Sequence, residues 1–359
     1  MRKRLLFYIR KGNGMGHLRR MSRIADALSQ DYSCLIIGGH SEMNWMVSSN
    51  CEYYQIPFCD HFNRSDFILH INEMYQPDAI FFDHSVNGND GDIHQLLDKS
   101  KAMKFLILRG VLDSPEKTQE IYYNPSSLFY LNNKIDHIFV ACDERIEDVS
   151  NYKFLNKSTL DRVSYIGYVT PTFSAESMDA YRSLKKRDSE RYVVSTPGGG
   201  FKNYALLRTS VELAEKYADN TRWNIVYGPK NDKKSPFYPY DIVSINNTEI
   251  YKFSSDMDMM NASSDILITR GGYNNLVEGV YGNSYIICKP MGQNNDEQFI
   301  HATNLSQYYD KLIVVENMQE LKGCFDDLMH LSLCDRPCQK HDLNMNGIEN
   351  LRQKLNYFL

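Results

Sequence analysis

The chain has 359 residues, 42% hydrophobic and 24% charged, with 40 Lys and Arg against 45 Asp and Glu for a formal net charge of −5. A chain of this make-up buries a core, which excludes general disorder and a disulfide-stapled mini-scaffold, and the acid excess excludes a globally basic nucleic-acid coat. The length predicts two domains of ordinary size.

No apolar run approaches the ~20 residues that a membrane helix needs. Behind the basic start, only Leu5 to Ile9 is apolar before Arg10 and Lys11, which predicts a buried strand instead of an export signal. Eight cysteines are scattered without repeat spacing, as expected for reduced thiols in a cytoplasm. Strands are predicted over 4–10, 34–38, 79–83, 104–108 and 137–141, with helices over 18–30, 42–48, 93–101 and 115–128. The alternation pauses in a polar segment and restarts at Arg191, with strands at 191–195, 223–227, 265–269, 284–288 and 312–315 and a helix over 203–217. This is an α/β pattern of two similar domains, residues 1–170 and 191–340, joined by a linker at 171–190. The final segment, 341–359, carries a helix over 344–355 that can pack on either domain.

Several strands end directly in Gly, Asp or Arg, and in open α/β sheets these carboxyl ends face the ligand crevice. The first candidate site is the loop Gly12-Asn13-Gly14-Met15-Gly16-His17 between strand and helix. Its glycines allow close backbone approach, and a helix N-terminus offers free N–H groups to an anion; a tight turn needing glycine for packing alone is the plain alternative. It departs from the dinucleotide fingerprint, because the third glycine comes one residue early and strand two ends in Gly38-Gly39-His40 without the acidic residue. His17 is a candidate general base, with a helix-capping histidine as the alternative.

The second loop, Thr196-Pro197-Gly198-Gly199-Gly200-Phe201-Lys202-Asn203, reads as a pyrophosphate cradle with Lys202 and Asn203 as side-chain donors. It lacks the Gly-Lys-Ser/Thr ending of an ATP-hydrolysing loop. In the third segment a strand ends in Arg270, Gly271 and Gly272 open a helix, and Asn274 and Glu278 follow one turn apart on one helix face. A carboxylate so placed can accept from a ribose diol; a solvated helix acid paired with Arg270 is the alternative. After the next strand, a polar loop carries Asp296, Glu297 and Gln298 back to the same crevice.

Strand–Arg-Gly-Gly–five residues–Glu, followed by strand–Pro–polar loop–Asp-Glu-Gln and a helix with Asn304, resembles the donor half of GT-B glycosyltransferases, with the MurG-like enzymes of glycosyltransferase family 28 the nearest in pattern. The first glycine loop resembles the matching loop of the same group, so the likeness spans about 12–304. The resemblance implies a GT-B fold, two Rossmann-like doubly wound domains facing across a cleft, and inverting transfer from a nucleotide-diphosphate sugar (a UDP-sugar favoured) to an acceptor hydroxyl without metal or other cofactor. It implies Glu278 on the ribose, Gly271, Gly272 and Gly198–Gly200 on the diphosphate, Glu297 and Gln298 on the donor sugar, and Phe253-Ser254 at the base. His17, with Gly14 and Gly16, would sit by the diphosphate or the acceptor. Tyr273-Asn274-Asn275 stands where small residues are usual, and Glu297 where glutamine is common.

Charge development at the leaving diphosphate calls for helix N-termini, Arg270 and Lys202. His17 and Asp83 are the candidate bases, Asp83 alternatively orienting a backbone turn. Arg109 and Asp113 end another strand and are candidate acceptor contacts, or simply an ion pair with each other. Cys324, Cys334, Cys338 and His341 match no common zinc spacing, so buried thiols and no metal are expected. The basic cluster Arg2, Lys3, Arg4, Arg10, Lys11, Arg19, Arg20 and Arg23 reads as a solvated edge or as a surface for an anionic acceptor, a membrane or nucleic acid. A nucleotide-sugar hydrolase or epimerase, or a non-catalytic nucleotide-sugar binder, remains the alternative.

Overall fold

Parallel pairing throughout both sheets accounts for the alternating sequence pattern, since each parallel pair needs a crossover and the crossovers cover both sheet faces. The computed structural model describes residues 2–12, 15–40, 45–198, 204–228, 245–290, 296–331 and 342–359. The first sheet contains β1 (Arg4–Ile9), β2 (Ser33–Gly38), β3 (Glu52–Gln55), β4 (Ala79–Asp83), β5 (Met103–Leu108), β6 (His137–Val140) and β7 (Val163–Tyr165), in the order β3-β2-β1-β4-β5-β6-β7. The second contains β8 (Arg191–Thr196), β9 (Thr221–Val226), β10 (Thr248–Tyr251), β11 (Ile266–Thr269), β12 (Tyr285–Cys288) and β13 (Leu312–Val314), in the order β10-β9-β8-β11-β12-β13. Central strands such as β1, β4 and β8 are buried almost end to end, which is why they read as unbroken apolar runs.

Three strands escape the sequence pattern. β3, β7 and β10 each lie at a sheet edge and are half-exposed, so none carries an apolar run. The helix Arg64–Tyr75 is missed for a similar reason: it buries only Ile68, Ile71 and Asn72. The helix predicted over 115–128 is two, Pro115–Tyr122 and Pro125–Lys134. Asn124 caps the second and Pro125, which has no N–H to donate, opens it. Of the helix predicted over 42–48, residues 42–44 lie outside the described residues and 45–48 are not α-helical.

The chain forms two compact units, Met1–Val169 with Asn344–Leu359, and Thr170–Leu343. The stretch 171–190 is therefore not a linker but part of the second unit. Its helix Ala175–Lys185 is fastened there by Arg182, whose Nε donates to Ser263 O at 2.7 Å and lies 3.3 Å from Asp265. The last helix, Gly347–Leu355, belongs to the first unit. Ile348, Leu351 and Leu355, at helical spacing, enter the core formed by Leu5, Phe7, Ile24 and Leu28, while Asn350 Nδ2 donates to Ile166 O at 2.7 Å. Among the described residues no helix is long and apolar enough to cross a membrane.

Leu351 is fully buried, so Leu351→Ala is expected to destabilise the first unit by ~2–5 kcal/mol through lost burial and a residual cavity. Calorimetry should show the first unit's transition lowered and the second unit's unchanged.

Candidate functional site

Each sheet reverses its winding once. From β1 the chain runs outward to β2, whereas β4, on the other side of β1, leads away to β5; β8 and β11 repeat the arrangement in the second sheet. Ligand crevices in open α/β sheets form outside the carboxyl ends at this switch point. The Gly12–Gly16 loop follows β1 and Asp83-His84 closes β4. Gly198 follows β8 and Gly271-Gly272 follow β11, with Thr196 and Thr269 in register. Both pairs of sequence motifs therefore meet at switch points, each within its own unit.

In the first unit, the helix Gly16–Leu28 turns Leu18, Met21, Ile24, Ala25 and Leu28 to the core. His17 and Arg20, three residues apart, share a face that looks at the end of β4. Asp83 is completely buried, with Oδ2 2.7 Å from His17 Nδ1 and Oδ1 accepting from Arg20 Nη2 at 2.5 Å. Burial works to raise the Asp83 pKa, but the facing charges and hydrogen bonds of His17 and Arg20 outweigh it and hold the carboxyl well below its ordinary range. Asp83 has no solvent exposure and both its oxygens face partners, so His17 is the member of this pair that reaches solvent. His17 keeps 17% of its side chain exposed. With Nδ1 turned to the carboxylate, Nε2 is the nitrogen left to take a proton.

His84 follows in the left-handed region, φ +65°, with its ring 5.3 Å from that of His17. Burial, together with the neighbouring charges of Arg109, His17, Arg20 and Arg10, holds its pKa well below the ordinary value, so the ring is neutral. Arg109 follows β5. Asp113 is buried, Oδ1 accepting from Ser114 N at 2.8 Å and lying 4.0 Å from Lys117 Nζ. Gly16 opens the helix, and Gly14 lies outside the described residues.

In the second unit, Gly198 and Gly271 have φ of +81° and +83°, where side chains are strained. Gly272 is different. Its φ is −60° and a Cβ there would meet nothing within 4 Å among the described residues, so neither the backbone nor these neighbours demand glycine at the N-terminus of the helix Tyr273–Tyr281, which has no side-chain cap among them. Beneath this turn Asn261 Nδ2 donates to Glu278 Oε2 at 2.8 Å and to Asn275 Oδ1 at 3.3 Å, and Asn275 Nδ2 donates to Thr269 Oγ1 at 3.0 Å. Glu278 is 0% exposed and so is not the solvated acid offered as the alternative to a ribose contact; its Oε2 ends this polar chain. Asn274 and Glu297 are also buried, Arg270 and Gln298 half-buried, and the carbonyl of Gln298 lies against Gly271. Phe253 is exposed beyond β10, and Ser254 Oγ accepts from Asp256 N at 3.1 Å. Gly199, Gly200, Lys202 and Asn203 lie outside the described residues, as do Cys334, Cys338 and His341.

The basic cluster is not one surface. Arg2, Lys3 and Arg4 stand at the start of β1 and Arg10 and Lys11 beyond its end, separated by the five strand residues Leu5–Ile9 and so by ~20 Å from Arg4 to Arg10. Arg20 is buried on Asp83, and Arg23 Nη1 donates to Val169 O at 3.0 Å. Sequence reasoning counted Arg20 only within that cluster and missed Asn261 and Asn275; the His17-x-x-Arg20 spacing on one helix face is the signal that places Arg20. Among the described residues, no three His, Cys, Asp or Glu side chains are grouped to hold a metal ion.

The His84 shift has a sign. An unfolded chain takes up this proton below pH ~6.5 while the folded protein does not, so the stability it contributes is complete above that pH and is lost as pH falls. Between pH 6 and 5 wild type should lose up to ~1.4 kcal/mol per pH unit more than His84→Asn, whose side chain tolerates the left-handed backbone. Urea unfolding at pH 7.5, 6 and 5 measures the difference.

No curated protein matches the sequence. Residues 194–329 match the glycosyltransferase family 28 C-terminal domain. Solved structures similar to the chain include the spinosyn rhamnosyltransferase SpnG, at 14% identity and TM-score 0.66 over 98% of this chain and all of that one. The calicheamicin glycosyltransferase CalG4 matches at 11% and 0.62 over 100% and 99%. The UDP-GlcNAc 2-epimerase from Neisseria meningitidis, solved with UDP-GlcNAc, matches at 13% and 0.62 over 99% and 100%. The chain therefore has the GT-B fold, two Rossmann-like units, and residues 194–329 of the second match the glycosyltransferase family 28 C-terminal domain.

Proposed function

We propose that the protein is an inverting, metal-independent glycosyltransferase that moves a sugar from a UDP-sugar to an acceptor hydroxyl. The observation that carries this reading is the partly exposed imidazole of His17, oriented by a buried, ionised carboxylate at the first switch point. His17 Nε2 takes the proton of the acceptor hydroxyl as its oxygen attacks the anomeric carbon. The bond from that carbon to the diphosphate breaks on the opposite face, UDP leaves, and the configuration inverts.

The second unit is assigned the donor. Gly271, Gly272 and the Gly198–Gly200 loop take the diphosphate, with Lys202 and Asn203 as donors. Negative charge on the departing UDP is met by Arg270 and by the N–H groups opening the helix Tyr273–Tyr281. Phe253 and Ser254 are assigned to the base, and Glu297 and Gln298 to the sugar. Glu278 is assigned to the ribose hydroxyls, with its carboxylate held in place by Asn261. The glycosyltransferase family 28 domain and the UDP-GlcNAc bound by the similar epimerase support a UDP-sugar. The same dyad acting on water would make a nucleotide-sugar hydrolase, and the small exposure of His17 favours that as the second reading.

Labelled UDP-sugars with candidate acceptors separate transfer, free sugar and isomerised sugar. His17→Ala is expected to lose at least ~100-fold in kcat while UDP still stabilises it against heat as it does wild type. Gly272→Val, whose Cβ meets nothing within 4 Å among the described residues, is expected to melt like wild type but to lose UDP stabilisation, which is ~2.7 kcal/mol at a hundredfold Kd. Full activity in His17→Ala would contradict the base, and full UDP binding in Gly272→Val would contradict the donor assignment.

A further inference from the structure

Four adjacent strands of the first sheet are each followed within two residues by a basic side chain at the carboxyl end: His40 after β2, Arg10 after β1, His84 after β4 and Arg109 after β5. Pairing carries on past the strands proper. His84 N donates to Ile107 O at 2.9 Å, and the His40 ring reaches the carbonyl of Arg10 at 3.3 Å. With neighbouring strands ~4.8 Å apart, the backbones of Arg10 and Arg109 stand ~10 Å apart with His84 between them. Three guanidinium groups, those of Arg109, Arg20 and Arg10, bear on the buried His84 ring.

Two acids lie at this edge. Asp83 gives one oxygen to His17 and the other to Arg20. Asp113 accepts from Ser114 N and lies beside Lys117. Lys11 places its ammonium 4.3 Å over the Phe58 ring. Among the described residues, Arg10 Nε is shut from solvent and has no hydrogen-bond partner. A guanidinium with a buried, unpaired N–H is costly, and an oxyanion relieves that cost with two parallel hydrogen bonds.

We propose that the carboxyl edge of β1, β4 and β5 binds an oxyanion group of the acceptor, carboxylate or phosphate, through the guanidinia of Arg10 and Arg109, which flank His84. The assignment to the acceptor rests on the glycosyltransferase reading; the anion site itself does not. The acceptor is then an acidic molecule, held by its anion close to the His17 imidazole that deprotonates its hydroxyl.

Inorganic phosphate and acetate are the probes, titrated calorimetrically into the full chain at constant ionic strength, with and without saturating UDP. The proposal expects one of the two ions to bind wild type, to bind Arg10→Gln and Arg109→Gln at least tenfold more weakly, and to bind the exposed, distant Lys3→Gln as wild type does. Binding should persist when UDP is present. Should Arg10→Gln fail to fold, Arg10→Lys, which keeps the charge and loses the fork, is expected to weaken binding as well. Equal binding by wild type and the arginine variants, or no binding of either ion, overturns the site. Loss of binding on adding UDP overturns the acceptor assignment, because the arginines would then hold the donor's own phosphates. Failure of UDP to bind counts against the donor reading alone, since the dependence on Arg10 is also measured without it.

Discussion

The Asp83 carboxylate, shut from water between an imidazole and a guanidinium, is the contact around which the first unit's site is organised. A buried carboxylate costs several kcal/mol unless it is paired on geometry this close, and both partners come from one helix face three residues apart. That single acid therefore sets the rotation of the helix Gly16–Leu28 about its axis and its seating against β4. It also chooses which imidazole nitrogen of His17 is turned inward. His84 follows at once in the left-handed region, with its ring 5.3 Å from that of His17. Strain held at a strand end beside an oriented histidine is where function is to be sought.

The two units solve one topological problem with different chemistry. At the first switch point ionised groups pair under the crevice. At the second, a chain of neutral amides runs from Glu278 through Asn261 and Asn275 to Thr269, holding the Gly271-Gly272 turn from below. The first arrangement presents a partly exposed imidazole beside guanidinium groups; the second presents, among the described residues, a helix N-terminus with no side-chain cap and a glycine with open space at its Cβ. A division of labour between proton transfer and phosphate binding is what glycosyl transfer asks of such a pair.

Central strands and glycine loops were legible because burial on both faces writes an unbroken apolar run, and because glycine beside a strand end is conspicuous. Edge strands β3, β7 and β10 were not, since half-exposed strands mix polar and apolar residues without a period. The helix Ala175–Lys185 read as a linker because none of its residues is buried; its attachment is made by charged side chains such as Arg182. His17 and Asp83 were both picked out, yet their pairing joins residues distant in sequence and appears only once β1 and β4 are neighbours. Glu278 shows the converse: its place in the motif was clear, but whether a carboxylate faces water or an asparagine is decided by packing.

The central claim is that His17 and Asp83 act as one unit, and a double-mutant cycle on kcat/KM for UDP-sugar consumption tests it most directly. Groups that work only together give losses that do not add. The account predicts that Asp83→Asn has little further effect once His17 is alanine, so the double variant is about as slow as His17→Ala alone. Losses that multiply, with the double variant slower by the product of the two single effects, would contradict it.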